Sequence, residues 1–139
     1  MALIIDTGPL LAALDRADPD HSACAALLLD AGEDRIVPTL VLAELDYWCH
    51  ARLGVDAWLT FLEDVIEGAY RVVGPTDEDY RRCAEFQRRY RDLELGVVDA
   101  SVIALCERLD ETKVATLDHR HFSVVRPKHV EALSLLPTP

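Results

Sequence analysis

The chain has 139 residues, of which 50% are hydrophobic, and this size suits one domain with a single packed core. No apolar run approaches the roughly 20 residues needed to cross a bilayer, so no membrane segment is expected. The formal net charge of -11 argues against a broad, nonspecific grip on nucleic acid, which needs a basic face. The start of the chain lacks a basic stretch and a cleavage site, which predicts a cytoplasmic protein. We therefore expect one cytoplasmic domain over residues 1–139.

The first half of the chain alternates strand and helix patterns. Residues 2–5 form a short apolar run typical of a buried parallel strand. A short helix at 10–14 follows, and then a second helix from Asp18 to Gly32 with apolar residues at helical spacing, namely Cys24, Leu27, Leu28 and Ala31. Residues 35–37 predict a second strand. Two more helices are expected to begin at Thr39 and Val55 and to end at Gly54 and Gly68.

The second half continues the alternation. Residues 69–73 predict a third strand, and Thr76 with Asp79 has the spacing of a capping box at the start of a fifth helix. Residues 97–110 predict a sixth helix and 113–117 a fourth strand, while the apolar runs at 124–125 and 133–136 are the candidates for an edge strand. Strands that alternate with helices predict an α/β domain whose parallel sheet, of four to five strands, is covered on both faces.

Four cysteines lie far apart, each inside a helical pattern: Cys24, Cys49, Cys83 and Cys106. No CxxC pair is present, so a zinc site is not expected. Disulfides are disfavoured in a reducing cytosol. We expect buried, reduced thiols that act as small apolar groups.

Four acids stand next to apolar runs, where a solvated surface acid is out of place: Asp6, Glu44, Asp99 and Asp118. Asp6 and Asp118 end the first and fourth strands, and sites in open parallel sheets form beyond the carboxyl ends of strands. Glu44 lies about one turn into the third helix, and Asp99 lies near the start of the sixth. Carboxylates brought together repel one another unless a cation holds them, and hard oxygen ligands select Mg²⁺ or Mn²⁺. The pattern predicts an acidic divalent-metal pocket suited to chemistry on phosphate.

Each of these acids also has an ordinary structural role open to it. Asp6 and Asp118 could be turn residues, and Asp99 could cap its helix. Glu44 could be a surface helix residue, with Asp46 as its competitor for the pocket. A single spacing is weak evidence, whereas four acids at matching places in a βα order favour a shared site.

Other polar residues leave two roles open. Asp92 is either an extra acid at the pocket mouth or a solvated loop residue. Ligation by both His119 and His121 is not expected, because neighbours at i and i+2 face the same way only in a strand, and His121 is expected to pack or hydrogen-bond near Phe122. A basic run either steers phosphate or forms a solvated helix face: Arg81, Arg82, Arg88, Arg89 and Arg91.

Four segments together resemble a PIN-domain ribonuclease of the VapC toxin family, which occurs in type II toxin–antitoxin pairs. The resemblance covers nearly the whole chain. Its most specific parts are a Leu-Gly-x-x-Asp-Ala stretch and a Thr-x-Asp-x-x-His-Phe stretch. The segments are Ile4-Ile5-Asp6-Thr7, Leu42-Ala43-Glu44-Leu45, Tyr90-Arg91-Asp92 followed by Leu95-Gly96-Val97-Val98-Asp99-Ala100, and Ala115-Thr116-Leu117-Asp118-His119-Arg120-His121-Phe122.

The resemblance implies a three-layer PIN-like fold and an Mg²⁺- or Mn²⁺-dependent endoribonuclease that cuts structured RNA, leaving 5′-phosphate and 3′-hydroxyl ends. It implies that Asp6, Asp99, Asp118 and Glu44 are the metal-binding and catalytic acids. It also implies a VapB-type antitoxin whose C-terminal segment blocks the pocket, and a homodimer. Transfer RNA and ribosomal RNA are both open as targets, and so are one or two metal ions.

Two alternative functions fit the sequence less well. A PIN-like domain without catalytic activity could bind RNA or protein, although the complete acid set argues against it. A phosphotransfer receiver domain needs an acid pair after the first strand, and here Thr7 follows Asp6. Thr7 and Thr116 carry hydroxyls beside the predicted metal acids, where hydrogen bonds could orient the ligands, and core packing of a β-branched residue is the equal alternative for Thr116.

Overall fold

A five-stranded, fully parallel sheet forms the centre of the computed structural model, which describes residues 1–30 and 32–139. Its strands lie in the order β3-β2-β1-β4-β5, so β1 occupies the middle. The predicted α/β fold with four to five parallel strands is confirmed. The strands are β1 (Ala2–Ile5), β2 (Asp34–Pro38), β3 (Arg71–Val73), β4 (Lys113–Ala115) and β5 (Ser134–Leu136).

Helices connect the strands and cover both faces of the sheet. Right-handed crossovers place helices on opposite faces when the strand order runs in opposite directions, as it does from β1 to β3 and from β3 to β5. The result is the predicted three-layer architecture. The helices are α1 (Thr7–Leu14), α2 (His21–Leu28), α3 (Thr39–Arg52), α4 (Val55–Ile66), α5 (Asp77–Arg89), α6 (Val97–Leu109) and α7 (His119–Val124), with a 3₁₀ turn at Arg91–Leu93.

Burial on both faces explains why the central strands are apolar throughout. Ile4 of β1 is in register with Ile36 of β2 and Val114 of β4, and all three are at most 1% exposed. Chain connections leave β1 and β4 in different directions, so a crevice opens beyond the carboxyl ends of this neighbouring pair. The site residues that follow these two strands therefore lie at one edge of the sheet.

Several predicted boundaries shift in the structure. The first helix begins at Thr7 rather than at residue 10, and the third strand is confined to Arg71–Val73. The edge strand lies at Ser134–Leu136, and the expectation of a strand at 124–125 was wrong, because Val124 ends α7 instead. Ala31, which was assigned to the second helix, lies outside the described residues.

The predicted capping box and the predicted buried cysteines are both confirmed. The Thr76 hydroxyl accepts from the amide of Asp79 at 3.1 Å, and Asp79 Oδ2 accepts from the amide of Thr76 at 3.1 Å, which forms the capping box. All four cysteines are free and buried. Burial raises the pKa of Cys83 to about 11 and that of Cys106 to about 12, so both thiols are neutral near pH 7.

No helix within residues 1–30 and 32–139 combines the length and the apolar character that a membrane crossing requires.

Candidate active site

The four predicted acids line one cavity of about 520 Å³ beyond the carboxyl ends of the strands: Asp6, Glu44, Asp99 and Asp118. Asp6 directly follows β1, and its amide donates to the carbonyl of Ala115 in β4 at 2.9 Å. Asp118 follows β4 and caps α7, where its Oδ1 accepts from the amide of His121 at 3.2 Å. The adjacency of β1 and β4 is what brings these two acids to one crevice.

Asp6 is the most deeply buried of these acids, with 5% of its surface exposed. Its Oδ2 accepts a hydrogen bond from the Thr116 hydroxyl at 2.9 Å, while the buried Oδ1 has no hydrogen-bond partner among the described residues. Burial, followed by the charge of Asp99, raises the pKa of Asp6 to about 7. An unpartnered carboxylate oxygen at such a position costs free energy unless a proton or a cation neutralises it.

Thr116 links two of the acids through one hydroxyl group. This hydroxyl donates to Asp6 and accepts from the amide of Asp118 at 3.0 Å. Thr116 is fully buried, so its hydroxyl has a fixed orientation. The expected hydrogen bond beside the metal acids is therefore present for Thr116, whereas the buried Thr7 hydroxyl finds no partner among the described residues.

His121 lies between Asp99, in the first turn of α6, and Asp118, at the N-cap of α7. Its Nδ1 lies 2.9 Å from Asp99 Oδ2 and 2.8 Å from Asp118 Oδ2. Burial opposes protonation of this ring, but the hydrogen bond that Nδ1 donates to Asp99 and the charge of Asp118 outweigh it and raise the pKa of His121. Burial also raises the pKa of Asp99, with the charge of Asp118 acting in the same direction. A protonated His121 thus supplies positive charge among the carboxylates.

The structure distinguishes Glu44 from its competitor Asp46 on α3. Glu44 faces the cavity, whereas Asp46 pairs with His50 at 3.2 Å on an exposed face of the same helix. Trp48 and Arg52 also line the cavity, four and eight residues beyond Glu44. Sequence reasoning missed both, although the spacing of 4 that places residues on one helix face was present.

The donor set fits a divalent cation that prefers oxygen. Ligand atoms of Asp99, Asp118 and His121 all lie within 4.8 Å of one another. The unpartnered Oδ1 of Asp6 and the unpartnered hydroxyl of Thr7 are buried beside the same cavity. Carboxylate and hydroxyl oxygens are the ligands that Mg²⁺ and Mn²⁺ favour, and repulsion among the acids falls when a cation binds.

Of the remaining residues considered from the sequence, His121 contacts two acids of the cavity. His121 was expected to pack or hydrogen-bond near Phe122, and its Nδ1 does hydrogen-bond, to Asp99 and Asp118, because α7 places it three residues beyond Asp118. His119 lines a separate cavity beside Pro137. Asp92 is exposed on the 3₁₀ turn and is not among the described residues that line the acidic cavity.

Two residues at the start of the basic run form ion pairs. Arg82 makes two bonds to Glu107, with Nε 2.7 Å from Oε1, and Arg81 pairs with Glu78 at 3.2 Å. The acidic cavity, as lined by the described residues, includes no member of this run. Arg81 and Arg82 therefore belong to an ion-paired face of α5 and not to the wall of the acidic cavity.

Comparison with known proteins agrees with this geometry. The family model described as PIN domain matches residues 3–127. Ribonuclease VapC26 of Mycobacterium tuberculosis is 37% identical over 125 residues, which cover 90% of this chain and 93% of that protein. The crystal structure of M. tuberculosis VapC20, a toxin that cleaves the Sarcin-Ricin loop, has a TM-score of 0.82 at 20% identity, over 94% of this chain and 99% of that chain.

A second solved structure shares the fold. VapBC2 from Rickettsia felis, bound to a DNA fragment from their promoter, has a TM-score of 0.68 at 16% identity and covers 97% of both chains. The match to the PIN model spans most of this sequence, and the identity to a VapC ribonuclease extends over nearly its full length. The chain therefore belongs to the PIN-domain family, within the VapC ribonucleases of type II toxin–antitoxin systems.

Proposed function

We propose that this protein is the toxin of a type II toxin–antitoxin pair and that it cleaves structured RNA as an Mg²⁺- or Mn²⁺-dependent endoribonuclease. The observation that carries the proposal is the convergence of Asp6, Glu44, Asp99 and Asp118 on one cavity, with a buried Asp6 oxygen left unpartnered among the described residues. The identity to a VapC ribonuclease supports the same reaction class.

Each acid has a role in this mechanism. A bound divalent cation lowers the pKa of water and stabilises charge on the phosphate oxygens. Asp6 and Asp99 would hold such a cation through carboxylate oxygens, directly or through water. Asp118 would complete the site or orient a water molecule, and Glu44 would orient that water or hold a second cation. In-line attack of water on phosphorus would break the P–O3′ bond, so that the 3′ oxygen leaves as a hydroxyl and the phosphate stays on the 5′ end, without a covalent enzyme intermediate.

Neighbouring residues hold these acids in place. The hydroxyl of Thr116 fixes Asp6 Oδ2 and the backbone of Asp118 at the same time. His121 holds Asp99 and Asp118 together through Nδ1 and compensates their charge when it carries a proton. Asp6, whose pKa is about 7, has to release its proton before its second oxygen can bind a cation, so cleavage is expected to increase with pH through this range.

The partners and the setting belong to the same proposal. Solved structures with this fold contain VapBC complexes, which supports a VapB-type antitoxin whose C-terminal segment covers the acidic cavity. We further propose a homodimer, a transfer RNA or ribosomal RNA substrate and a cytoplasmic location, for which four free thiols are suited. We propose that residues 1–139 form one domain, because all strands from β1 near the start of the sequence to β5 near its end belong to one sheet.

RNA cleavage in Mn²⁺, with EDTA as control, tests the reaction. Asp99→Asn keeps the side-chain size but removes a charge. Because the transition state then loses several kcal/mol of charge stabilisation, the cleavage rate is expected to fall by about a hundredfold or more. Glu44→Gln is expected to reduce the rate, while Asp46→Asn on the same helix is expected to cleave like the wild type. Wild-type rates in Asp99→Asn, or cleavage that persists in EDTA, would refute the proposal. A wild-type protein that binds RNA without cutting it would establish the inactive binding module instead.

A further inference from the structure

We propose that Arg52 binds a backbone phosphate of the RNA beside the cleavage site and that Trp48 positions its guanidinium group. The inference rests on the proposed ribonuclease function and identifies a contact for its substrate. It adds a residue that binds substrate and a positioning residue, neither of which is a metal acid.

The periodicity of α3 places both side chains in the acidic cavity. Glu44, Trp48 and Arg52 are spaced by four residues, so they form a stripe along one helix face. All three line the cavity, with Glu44 nearest the start of the helix and Arg52 at its end. Among the described residues that line this cavity, Arg52 is the only one with a basic side chain. The stripe therefore leads from an acid to a cation.

The guanidinium of Arg52 stacks on an aromatic ring instead of pairing with an acid. Its central carbon lies 4.7 Å from the centroid of the Trp48 ring. Arg52 is exposed, and no described acid lies within ion-pair distance of it. A guanidinium that lies over an aromatic ring and has no acidic partner keeps N–H groups available in its own plane, where two of them match two oxygens of a phosphate. Arg52 is therefore held in a conformation ready to bind an anion.

Trp48 is itself fixed from two sides. It packs against the buried core, and its ring meets the ring of Tyr47 in a T-shaped arrangement with a centroid distance of 5.1 Å and an angle of 84°. A long arginine side chain loses conformational entropy when it binds, and a rigid aromatic support reduces that loss. This is the reason that we assign Trp48 a positioning role.

The charge of the cavity creates a need for such a contact. The protein has a net charge of -11, and four carboxylates converge where a polyanionic substrate has to approach. A cation bound among the acids neutralises only part of this charge, so the RNA backbone on either side of the scissile bond still requires positive groups. Arg52 is the group in the cavity wall that satisfies this need.

A purely structural role for Arg52 makes a different prediction. A cation in the last turn of a helix interacts favourably with the helix dipole, and stacking on Trp48 would stabilise α3. In that case, removal of Arg52 changes the melting temperature and leaves RNA affinity as it was.

The test measures the affinity of a fluorescent, mixed-sequence RNA hairpin by anisotropy in EDTA over a range of salt concentrations. Arg52→Ala is expected to weaken binding by on the order of tenfold, the value of one charged hydrogen-bonded contact. The slope of log affinity against log salt is expected to decrease by about 0.7 to 0.9, the value for one phosphate. Arg52→Lys keeps the charge but not the planar group, so it is expected to retain the slope and to recover part of the affinity.

Arg71→Ala is the matched control, because it removes the same charge at the start of β3, at the opposite end of the sheet from the cavity. It is expected to bind RNA like the wild type. Equal affinity and equal salt slope in the Arg52→Ala and Arg71→Ala variants would overturn the proposal.

The positioning role of Trp48 has its own test. Trp48→Leu keeps apolar volume but removes the ring, and it is expected to raise KM for hairpin cleavage in Mn²⁺ by several-fold with kcat unchanged. Trp48→Phe restores a ring and is expected to recover most of this loss. In an Arg52→Ala background, Trp48→Leu is expected to have no further effect, since it acts through Arg52. Additive losses would contradict the positioning role.

Failure of this inference and failure of the proposed function have different signatures. A wild-type protein that binds the hairpin without cutting it refutes the ribonuclease, and Arg52→Ala still decides the phosphate contact. A wild-type protein that cuts RNA while Arg52→Ala binds equally well refutes only the contact. A wild-type protein that neither binds nor cuts RNA, transfer RNA and ribosomal RNA included, overturns both.

Discussion

Replacement of Asp6 by Asn is expected to stabilise the metal-free protein while it abolishes cleavage. Burial and the charge of Asp99 raise the pKa of Asp6 from 3.8 to about 7. The native protein therefore holds this proton more tightly than the unfolded chain does. Between these two pH values the free energy of unfolding falls as pH rises, and above about pH 8 the full loss is present.

The size of the effect follows from the same pKa. A change from 3.8 to about 7 corresponds to about 4 kcal/mol, and the Thr116 hydroxyl can donate to an amide oxygen as it does to Asp6 Oδ2. In Asp6→Asn an amide nitrogen replaces the unpartnered Oδ1. Because this buried donor is unsatisfied, it cancels about 1–3 kcal/mol of the gain in stability. We expect Asp6→Asn to be about 1–3 kcal/mol more stable at pH 8, or about 3–9 °C in melting temperature.

Thermal unfolding in EDTA and in millimolar Mn²⁺, at pH 5 and pH 8, measures this directly. In EDTA the advantage of Asp6→Asn is expected to be largest at pH 8 and to shrink by about half or more at pH 5, where the wild type keeps its proton. Mn²⁺ is expected to raise the melting temperature of the wild type by mass action, and to raise that of the variant much less. A variant that is less stable than the wild type at both pH values in EDTA would refute the explanation that the buried Asp6 carboxylate destabilises the metal-free protein.

Three further substitutions test neighbouring contacts. Thr116→Val removes the hydroxyl that orients Asp6 and is expected to weaken Mn²⁺ binding by about 10- to 100-fold in a calorimetric titration. His121→Gln is expected to lose about 1–2 kcal/mol of stability at pH 6 and much less at pH 9, because a raised histidine pKa stabilises the native state below about 6.5 and this is lost as pH rises through the native value. Asp79→Asn weakens the capping box and the 2.9 Å pair with Arg108, so urea unfolding is expected to show a loss of about 1–3 kcal/mol with RNA affinity unchanged.

Each of these substitutions has an outcome that contradicts it. Wild-type Mn²⁺ affinity in Thr116→Val would mean that its hydroxyl does not orient the acids. A pH-independent loss in His121→Gln would assign the ring to packing alone. Weaker RNA binding in Asp79→Asn would place the paired face of α5 in the substrate path.

The predicted elements that succeeded depend on short-range rules. The apolar run at Ala2–Ile5 is buried on both faces, which a parallel strand in mid-sheet requires. The capping box at Thr76 depends on a spacing of three residues, which no distant contact alters. The region near Val124 failed because a two-residue apolar run does not distinguish a strand from the end of a short helix.

The site shows the same division. Acids at the ends of two strands were recognisable, because a carboxylate that follows a buried run has few structural reasons to be there. Two features depend on tertiary contacts: the Nδ1 of His121 between Asp99 and Asp118, and the unpartnered Oδ1 of Asp6. The hydrogen bond from Thr116 to Asp6 likewise joins residues 110 positions apart in the chain.

The amino-acid sequence alone determined the fold class, the alternation of strands and helices, the set of acids and the resemblance to VapC ribonucleases, because these depend on local periodicity and on which residue types stand beside buried runs. Only the tertiary structure decided which oxygens share a cavity, which proton is held there and which cation borders it. Burial and charge separation depend on the packing of β1 against β4 and of helices across the crevice, and no local pattern encodes the distances between them.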